Sequence, residues 1–230
     1  QTEMPEMLAE HPDFKLRVAM RVFKQWLQKL GIQNASTWDE VPSIVIGSQD
    51  ASPLELATAY ETLITGQRCT PYLIQEVYVG QQRVYSAEPH CTAIPELSPE
   101  IRAKVMQAEE ATNIAGTAKR LGSFHADGEH LVYEGTMKIG NSRVPNGGKT
   151  GTGQKNESLT YVLVAPSYES LTPQALNEGI DLKDIEAHVT WLGQYGGPGK
   201  QNPLNSGSIT LWGSTSGDLA GRIVTDGYTR

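Results

Sequence analysis

The chain predicts an α+β fold: an antiparallel sheet flanked by helices. Three observations carry this. Apolar residues recur at helical spacing behind clear start signals in the first half of the sequence. A β-branched, apolar run at 158–165 reads as a strand running antiparallel to the glycine-rich segment at 147–153. Antiparallel strands with helices at both ends of the sequence suggest a layered α+β architecture.

The first helix is marked by Leu16, Met20, Phe23, Leu27 and Leu30, a single apolar face expected to pack into the core. Pro12 fits its first turn and Gly31 its stop. A second helix starts at Ser52 with Pro53 in its first turn and Glu55 completing a capping box. It runs to about Ile64 and ends before Gly66. A third begins near Ser98-Pro99, with Ile101, Val105 and Ala108 on one side. Short strands are expected at Leu131–Tyr133 and Thr136–Ile139, and a short helix at Thr172-Pro173 within an insertion spanning 167–186. Two segments qualify as the last sheet strand, His188–Leu192 and Ser208–Trp212. The second is preferred because Ser216–Val224 then follows as a terminal helix.

Cys69 and Cys91 are the two cysteines. Between them, alternating runs at Tyr72–Val79 and Arg83–Ala87 surround Gly80-Gln81-Gln82 and read as a β-hairpin. Residue 80 is the midpoint of 69 and 91, so a hairpin turning there brings both cysteines to facing positions at its open end. A disulfide is therefore predicted. Such a bond favours an oxidising compartment.

With 230 residues the chain is long enough for a substantial core, and one domain or part of one is the default. Its net charge of −7 comes from dispersed acidic residues and argues against nucleic-acid binding, which needs clustered Lys and Arg. No stretch has the length of a membrane span. His125–His130 reads as a solvated loop rather than a metal site, since it lacks the His-Glu-x-x-His helical spacing. No metal ligand set and no cofactor are expected. The first residue is Gln1, which reads as a processed, trimmed or partial chain.

The most chemically loaded segment is Gly147-Gly148-Lys149-Thr150-Gly151-Thr152-Gly153. A cation, two hydroxyls and closely approachable backbone N–H groups suit an anion. A phosphate-binding P-loop would need a glycine at position 143, where Arg143 stands, so that reading fails. Lys-Thr-Gly also occurs in serine acyl-transferases that react with penicillin. Further blocks precede it in order: Val41-Pro42-Ser43-Ile44-Val45-Ile46-Gly47-Ser48, Ser52-Pro53-Leu54-Glu55-Leu56-Ala57-Thr58-Ala59-Tyr60, Gly66, Thr70-Pro71-Tyr72-Leu73-Ile74, and Gly116-Thr117-Ala118. Together they resemble the transpeptidase domain of class A penicillin-binding proteins, well over about residues 20–165 and loosely beyond.

The resemblance implies an incomplete penicillin-binding transpeptidase fold and a peptidoglycan D,D-transpeptidase that cross-links stem peptides by serine acyl transfer. By the same resemblance, Lys149 and Thr152 are catalytic. Lys149 supplies positive potential, and the Thr152 N–H is an oxyanion donor. Thr150, Gly151 and Thr152 form the substrate-binding wall, with the two hydroxyls on the substrate carboxylate. Implied partners are peptidoglycan stem peptides and β-lactams. The parent chain would be membrane-anchored, with its site in the cell envelope on the periplasmic or extracytoplasmic side of the inner membrane.

One departure is large. The family activates its serine through Ser-x-x-Lys, aided by Ser-x-Asn. No serine here has a lysine three residues on or an asparagine two residues on. Thr152 with Lys155 has the first spacing, but it lies inside the anion segment. Residues 1–230 are thus expected to be the C-terminal portion of a single transpeptidase-like domain, inactive alone, with the nucleophile in an absent N-terminal part. The alternative is a non-catalytic scaffold or binding module that keeps the carboxylate pocket.

Overall fold

A computed structural model of the chain describes residues 12–118, 130–133, 136–139, 142–153 and 158–193. The architecture is the expected mixture of helices and small antiparallel sheets.

Helix α1 (Pro12–Leu30) is stopped by Gly31, whose φ of 120° disfavours a side chain. Its C-terminal half joins a core of Leu30, Ile32, Ala35, Ala59, Ile94 and Leu97, flanked by Trp26 and Leu27. On the predicted stripe Met20 and Leu30 are buried and Phe23 and Leu27 half-buried, and Leu16, at its N-terminal end, is exposed. Helix α2 (Pro53–Thr65) starts with the full capping box: Ser52 Oγ accepts the Glu55 N–H, and Glu55 accepts the Ser52 N–H at 2.9 Å. The Glu55 carboxylate also accepts the N–H of Gln33 at 3.0 Å, tying the turn after α1 to the start of α2. Gly66 ends α2 in the left-handed conformation. Arg102 Nη1 donates to the Thr65 carbonyl at 2.9 Å, satisfying a helix-end acceptor from a third element.

Strand β1 (Gln67–Cys69) pairs with β4 (Cys91–Ala93), placing Cys69 opposite Cys91. The predicted disulfide joins them. Between them β2 (Glu76–Val79) and β3 (Gln82–Ser86) form the hairpin, turning at Gly80 with φ 61°. The first strand is shorter than the sequence suggested, since pairing begins only at Glu76. The Tyr78 hydroxyl and then Arg83 donate to the Glu76 carboxylate, which holds it below the usual carboxylate range.

Helix α3 (Pro99–Ile114) starts at Ser98, whose Oγ accepts the Ile101 N–H. Its packed face differs from the predicted one. Ile101 and Ala108 are exposed, and the inward positions are Arg102, Val105, Met106, Glu109 and Asn113. Polar residues on that face concealed it from a purely apolar pattern. Strands β5 (His130–Tyr133), β6 (Thr136–Ile139) and β7 (Ser142–Val144) form an antiparallel meander in register His130↔Ile139 and Ile139↔Ser142.

The central sheet has the order β10-β9-β8. Strand β8 (Gly147–Thr152) pairs antiparallel with β9 (Ser158–Pro166), Lys149 opposite Val162. On the other side β9 pairs with β10 (Ile185–Gly193) along its whole length. The His188–Leu192 candidate is therefore the strand beside β9, over nine residues of continuous register; the preferred last strand, Ser208–Trp212, is the later segment. The later segment and Ser216–Val224 lie outside the described residues. Between β9 and β10, Thr172 caps the short helix α4 (Pro173–Glu178) as expected.

Strand β9 is buried on both faces. Tyr161, Leu163 and Ala165 pack with Ala118 and Val144, while Val164 packs with Ile64 of α2, Met106 of α3 and Ile185 of β10. That explains the continuous apolar run from Tyr161 to Pro166. Because the disulfide closes a loop with a sequence separation of 22, replacing both cysteines by alanine is expected to lower stability by about 3 kcal/mol through the freed unfolded chain. Urea unfolding of Cys69→Ala/Cys91→Ala against the oxidised parent measures this, and alkylation of two free thiols before any reduction would contradict the bond itself.

Candidate functional site

The anion segment is strand β8, an edge strand of the three-stranded sheet among the described residues. Its geometry follows from two glycines. A Cβ on Gly147 would stand 2.6 Å from the Glu109 carbonyl carbon, so α3 rests directly on the strand backbone. A Cβ on Gly148 would stand 2.1 Å from the Val162 carbonyl oxygen and 2.5 Å from the Tyr161 hydroxyl. Neither position admits a side chain.

Behind the strand lies a buried polar chain. The Tyr161 hydroxyl donates to Asn113 Oδ1 at 2.6 Å. Asn113 Nδ2 donates to Asn146 Oδ1 at 2.9 Å, and Asn146 Nδ2 donates to the Val144 carbonyl at 3.0 Å. Tyr161, Asn113 and Asn146 are all buried. The chain links β9, the end of α3 and the residues entering β8. A buried network of this kind specifies one arrangement because each broken link leaves a desolvated polar group. Burial pushes the Tyr161 hydroxyl far above its ordinary value, so it stays protonated and donates.

The ladder phase directs the remaining groups. The Gly153 N–H donates to the Ser158 carbonyl at 2.8 Å. In an antiparallel ladder, bonded pairs alternate with non-bonded ones. Gly151 and Lys149 therefore share the phase of Gly153 and turn their N–H and C=O toward β9. Thr150 and Thr152 turn theirs toward the outer edge. Side chains alternate independently: Lys149 and Gly151 on one face, Thr150 and Thr152 on the other. Lys149 crosses to the edge, since its Nζ donates to the Thr150 carbonyl at 2.7 Å. The cation and the edge N–H groups thus converge although their side chains leave from opposite faces. Lys149 and Thr152 are exposed, and Thr150 is half-buried.

Thr150 has a partner that sequence reasoning left without a role. Its hydroxyl lies 2.5 Å from that of Thr117, in the turn after α3. The Gly116-Thr117-Ala118 block stood out in the sequence, but nothing there connected it to Thr150. Asn113, Asn146 and Glu109 were also missed. Asn113 follows Met106 by seven residues, a helical repeat that places it on the packed face, and this was the available signal.

Glu109 is the least expected member. Burial raises its carboxyl above the usual range, while the Lys149 cation lowers it. In the folded protein it keeps its proton at pH values where the unfolded chain has lost it. Its contribution to stability is present below the unfolded value and is lost as pH rises through the raised one. Glu109→Gln is expected to flatten the fall in melting temperature on going from acid toward neutral pH. A wild-type profile equally flat over that range would contradict this.

Two further substitutions probe the frame. Tyr161→Phe is expected to cost about 1–3 kcal/mol, because Asn113 Oδ1 loses its donor in a buried setting. Gly148→Ala is expected to cost more, and Tyr161→Phe should not rescue it, because the obstructing Val162 carbonyl is backbone. Thermal denaturation of the two single variants and the double variant decides.

The edge strand carrying Lys-Thr-Gly-Thr is thus laid on α3 at Gly147 and against β9 at Gly148. Residues 13–164 match the family described as penicillin binding protein transpeptidase domain, more than half of the 230 residues. No curated protein and no solved structure matches the chain. The match covers α1, the capped helix α2, α3, β8 and nearly all of β9, so the frame and the Lys149 strand fall within it. By that match, the chain belongs to the penicillin binding protein transpeptidase domain family, acyl-transferring enzymes whose members bind peptidoglycan peptides and β-lactams.

Proposed function

We propose that this chain is the C-terminal portion of a class A penicillin-binding transpeptidase domain and forms one wall of a D,D-transpeptidase site. The observation that carries the reading is the phase of β8, which sends the Thr152 N–H to the outer edge where the Lys149 Nζ also reaches.

In this reading, a serine outside the chain attacks the carbonyl of a D-alanyl-D-alanine peptide. A bond forms from serine Oγ to the acyl carbon, and the bond to the terminal D-alanine nitrogen breaks, that nitrogen leaving as an amine with an added proton. An amine of a second stem peptide then attacks the ester, forming the cross-link and returning the serine. The Thr152 N–H donates to the oxyanion that develops in each attack. One such donor is typically worth about 2.7–4 kcal/mol of the barrier. The Thr150 and Thr152 hydroxyls bind the terminal carboxylate, with Thr117 orienting Thr150. Lys149 supplies positive potential to the carboxylate and to the serine and its base.

Gly151 supports the substrate role by contrast with its neighbours. A Cβ there would meet nothing closer than Thr160 Cβ at 3.6 Å. Among the described residues packing does not demand a glycine at this position, which leaves room for a ligand backbone to lie against the strand. The same account explains the missing Ser-x-x-Lys and Ser-x-Asn elements as parts of a preceding segment. Large apolar side chains stand exposed at Val18 and Val22 of α1, at Ile46 and at Leu73, 98% exposed, as surfaces for such a segment to cover. None of the helices among the described residues is long and apolar enough to cross a membrane. A membrane anchor would belong to the parent chain, and the disulfide accords with an envelope location outside the inner membrane.

Fluorescent penicillin tests the proposal. The 230-residue chain should form no covalent adduct. The chain extended upstream by its coding sequence should form one, and Lys149→Ala should abolish it. An adduct on the 230-residue chain would overturn the divided site. Absence of an adduct from the extended chain would favour a binding module that keeps the wall without the chemistry.

A further inference from the structure

We propose that Glu109 is a positioning residue for Lys149: a carboxyl buried beneath the active-site strand whose charge state sets how strongly the Lys149 wall attracts an anion. The proposal rests on the transpeptidase-wall reading above and adds to it a residue on a different element.

Three structural observations carry it. The backbone of β8 lies directly on Glu109, since a Cβ on Gly147 would sit 2.6 Å from both the Glu109 carbonyl carbon and Glu109 Cβ. Strand alternation puts Lys149 on the same face as Gly147, one pleat further along, so the lysine stem leaves the strand on the side where Glu109 stands. Finally, Glu109 Oε2 is buried with no hydrogen-bond partner among the described residues. A carboxyl so placed is expensive unless it holds a proton or answers a nearby cation.

The groups facing it come from each packed element. Lys149 of β8 brings a positive charge, which opposes the effect of burial on the Glu109 carboxyl. Tyr60 of α2 and Tyr161 of β9 bring phenols whose ionisation both burial and Glu109 oppose. Glu110 is its neighbour on α3. Lys149 is thus the cationic group coupled to it, and the two phenols remain neutral.

The consequence is a proton linkage. Protonated Glu109 leaves the Lys149 potential undiminished at the strand edge. Ionised Glu109 offsets it from behind. An anion arriving at the edge therefore favours the protonated carboxyl, and by reciprocity the protonated carboxyl favours the anion. Carboxylate binding should take up a proton at Glu109 and weaken as pH rises through the Glu109 midpoint.

The experiment has two arms on the full 230-residue chain. In the first, ¹³C NMR follows the Glu109 side-chain carboxyl, identified by its loss in Glu109→Gln. The expected midpoint lies above the ordinary glutamate range, rises further in Lys149→Met and is restored toward the parent in Lys149→Arg. An ordinary midpoint, or one that Lys149→Met leaves unmoved, overturns the proposal, and a merely structural Glu109 would give that result. In the second arm, isothermal titration with D-alanyl-D-alanine is run on either side of that midpoint. The parent should lose about tenfold in affinity for each pH unit over which the coupling acts, and Glu109→Gln should bind independently of pH. A pH-independent parent overturns the linkage. Absent binding with the NMR coupling intact upholds the Glu109–Lys149 pair and counts against the carboxylate-wall reading instead.

Discussion

The close approach of β8 to α3 is the constraint on which the rest depends. Gly147 and Gly148 remove the side chains that would separate the strand from Glu109 on one face and from Tyr161 and Val162 on the other. Once the backbone lies that close, Asn113 and Asn146 come within hydrogen-bonding distance, and Tyr161 closes the chain from β9. A large side chain at either glycine would lose the contact and, with it, the desolvated network that makes the arrangement unique.

This frame separates two functions within one short segment. The glycine pair serves packing, while Lys149 to Thr152 serves the edge. The strand period of two then distributes chemistry without further cost: side chains alternate between faces while backbone groups alternate between β9 and the outer edge. An edge strand is ordinarily a liability because it invites pairing with other chains. Here the invitation accords with the proposed wall, since members of the family bind peptidoglycan peptides. An exposed cation such as Lys149 at the edge discourages indiscriminate pairing.

Much of this was legible beforehand. The Ser52–Glu55 box, the stops at Gly31 and Gly66, the Ser98 cap and the Thr172 cap are local hydrogen-bond chemistry, and each was found where the sequence placed it. The disulfide was legible because hairpin symmetry is a property of spacing. The face of α3 was misread because its inward positions carry Arg102, Glu109 and Asn113, which an apolar pattern counts as outward. The strand beside β9 was one of two segments of similar composition, and its pairing with β9 is a long-range contact that composition does not encode.

The sequence by itself determined the helices and their ends, the hairpin, the β8–β9 pair and the Lys149–Thr152 segment, because these follow from interactions a few residues apart or from a motif with its own chemistry. Only the tertiary structure decided which groups stand behind and beside that segment. Thr117 beside Thr150, Asn113 with Tyr161 and Asn146, and Glu109 beneath Gly147 unite residues 33 to 48 positions apart in the chain or, for Glu109, on separate elements. Their contacts depend on how closely a strand can approach a helix, a distance set by packing of the whole layer and not by any local pattern.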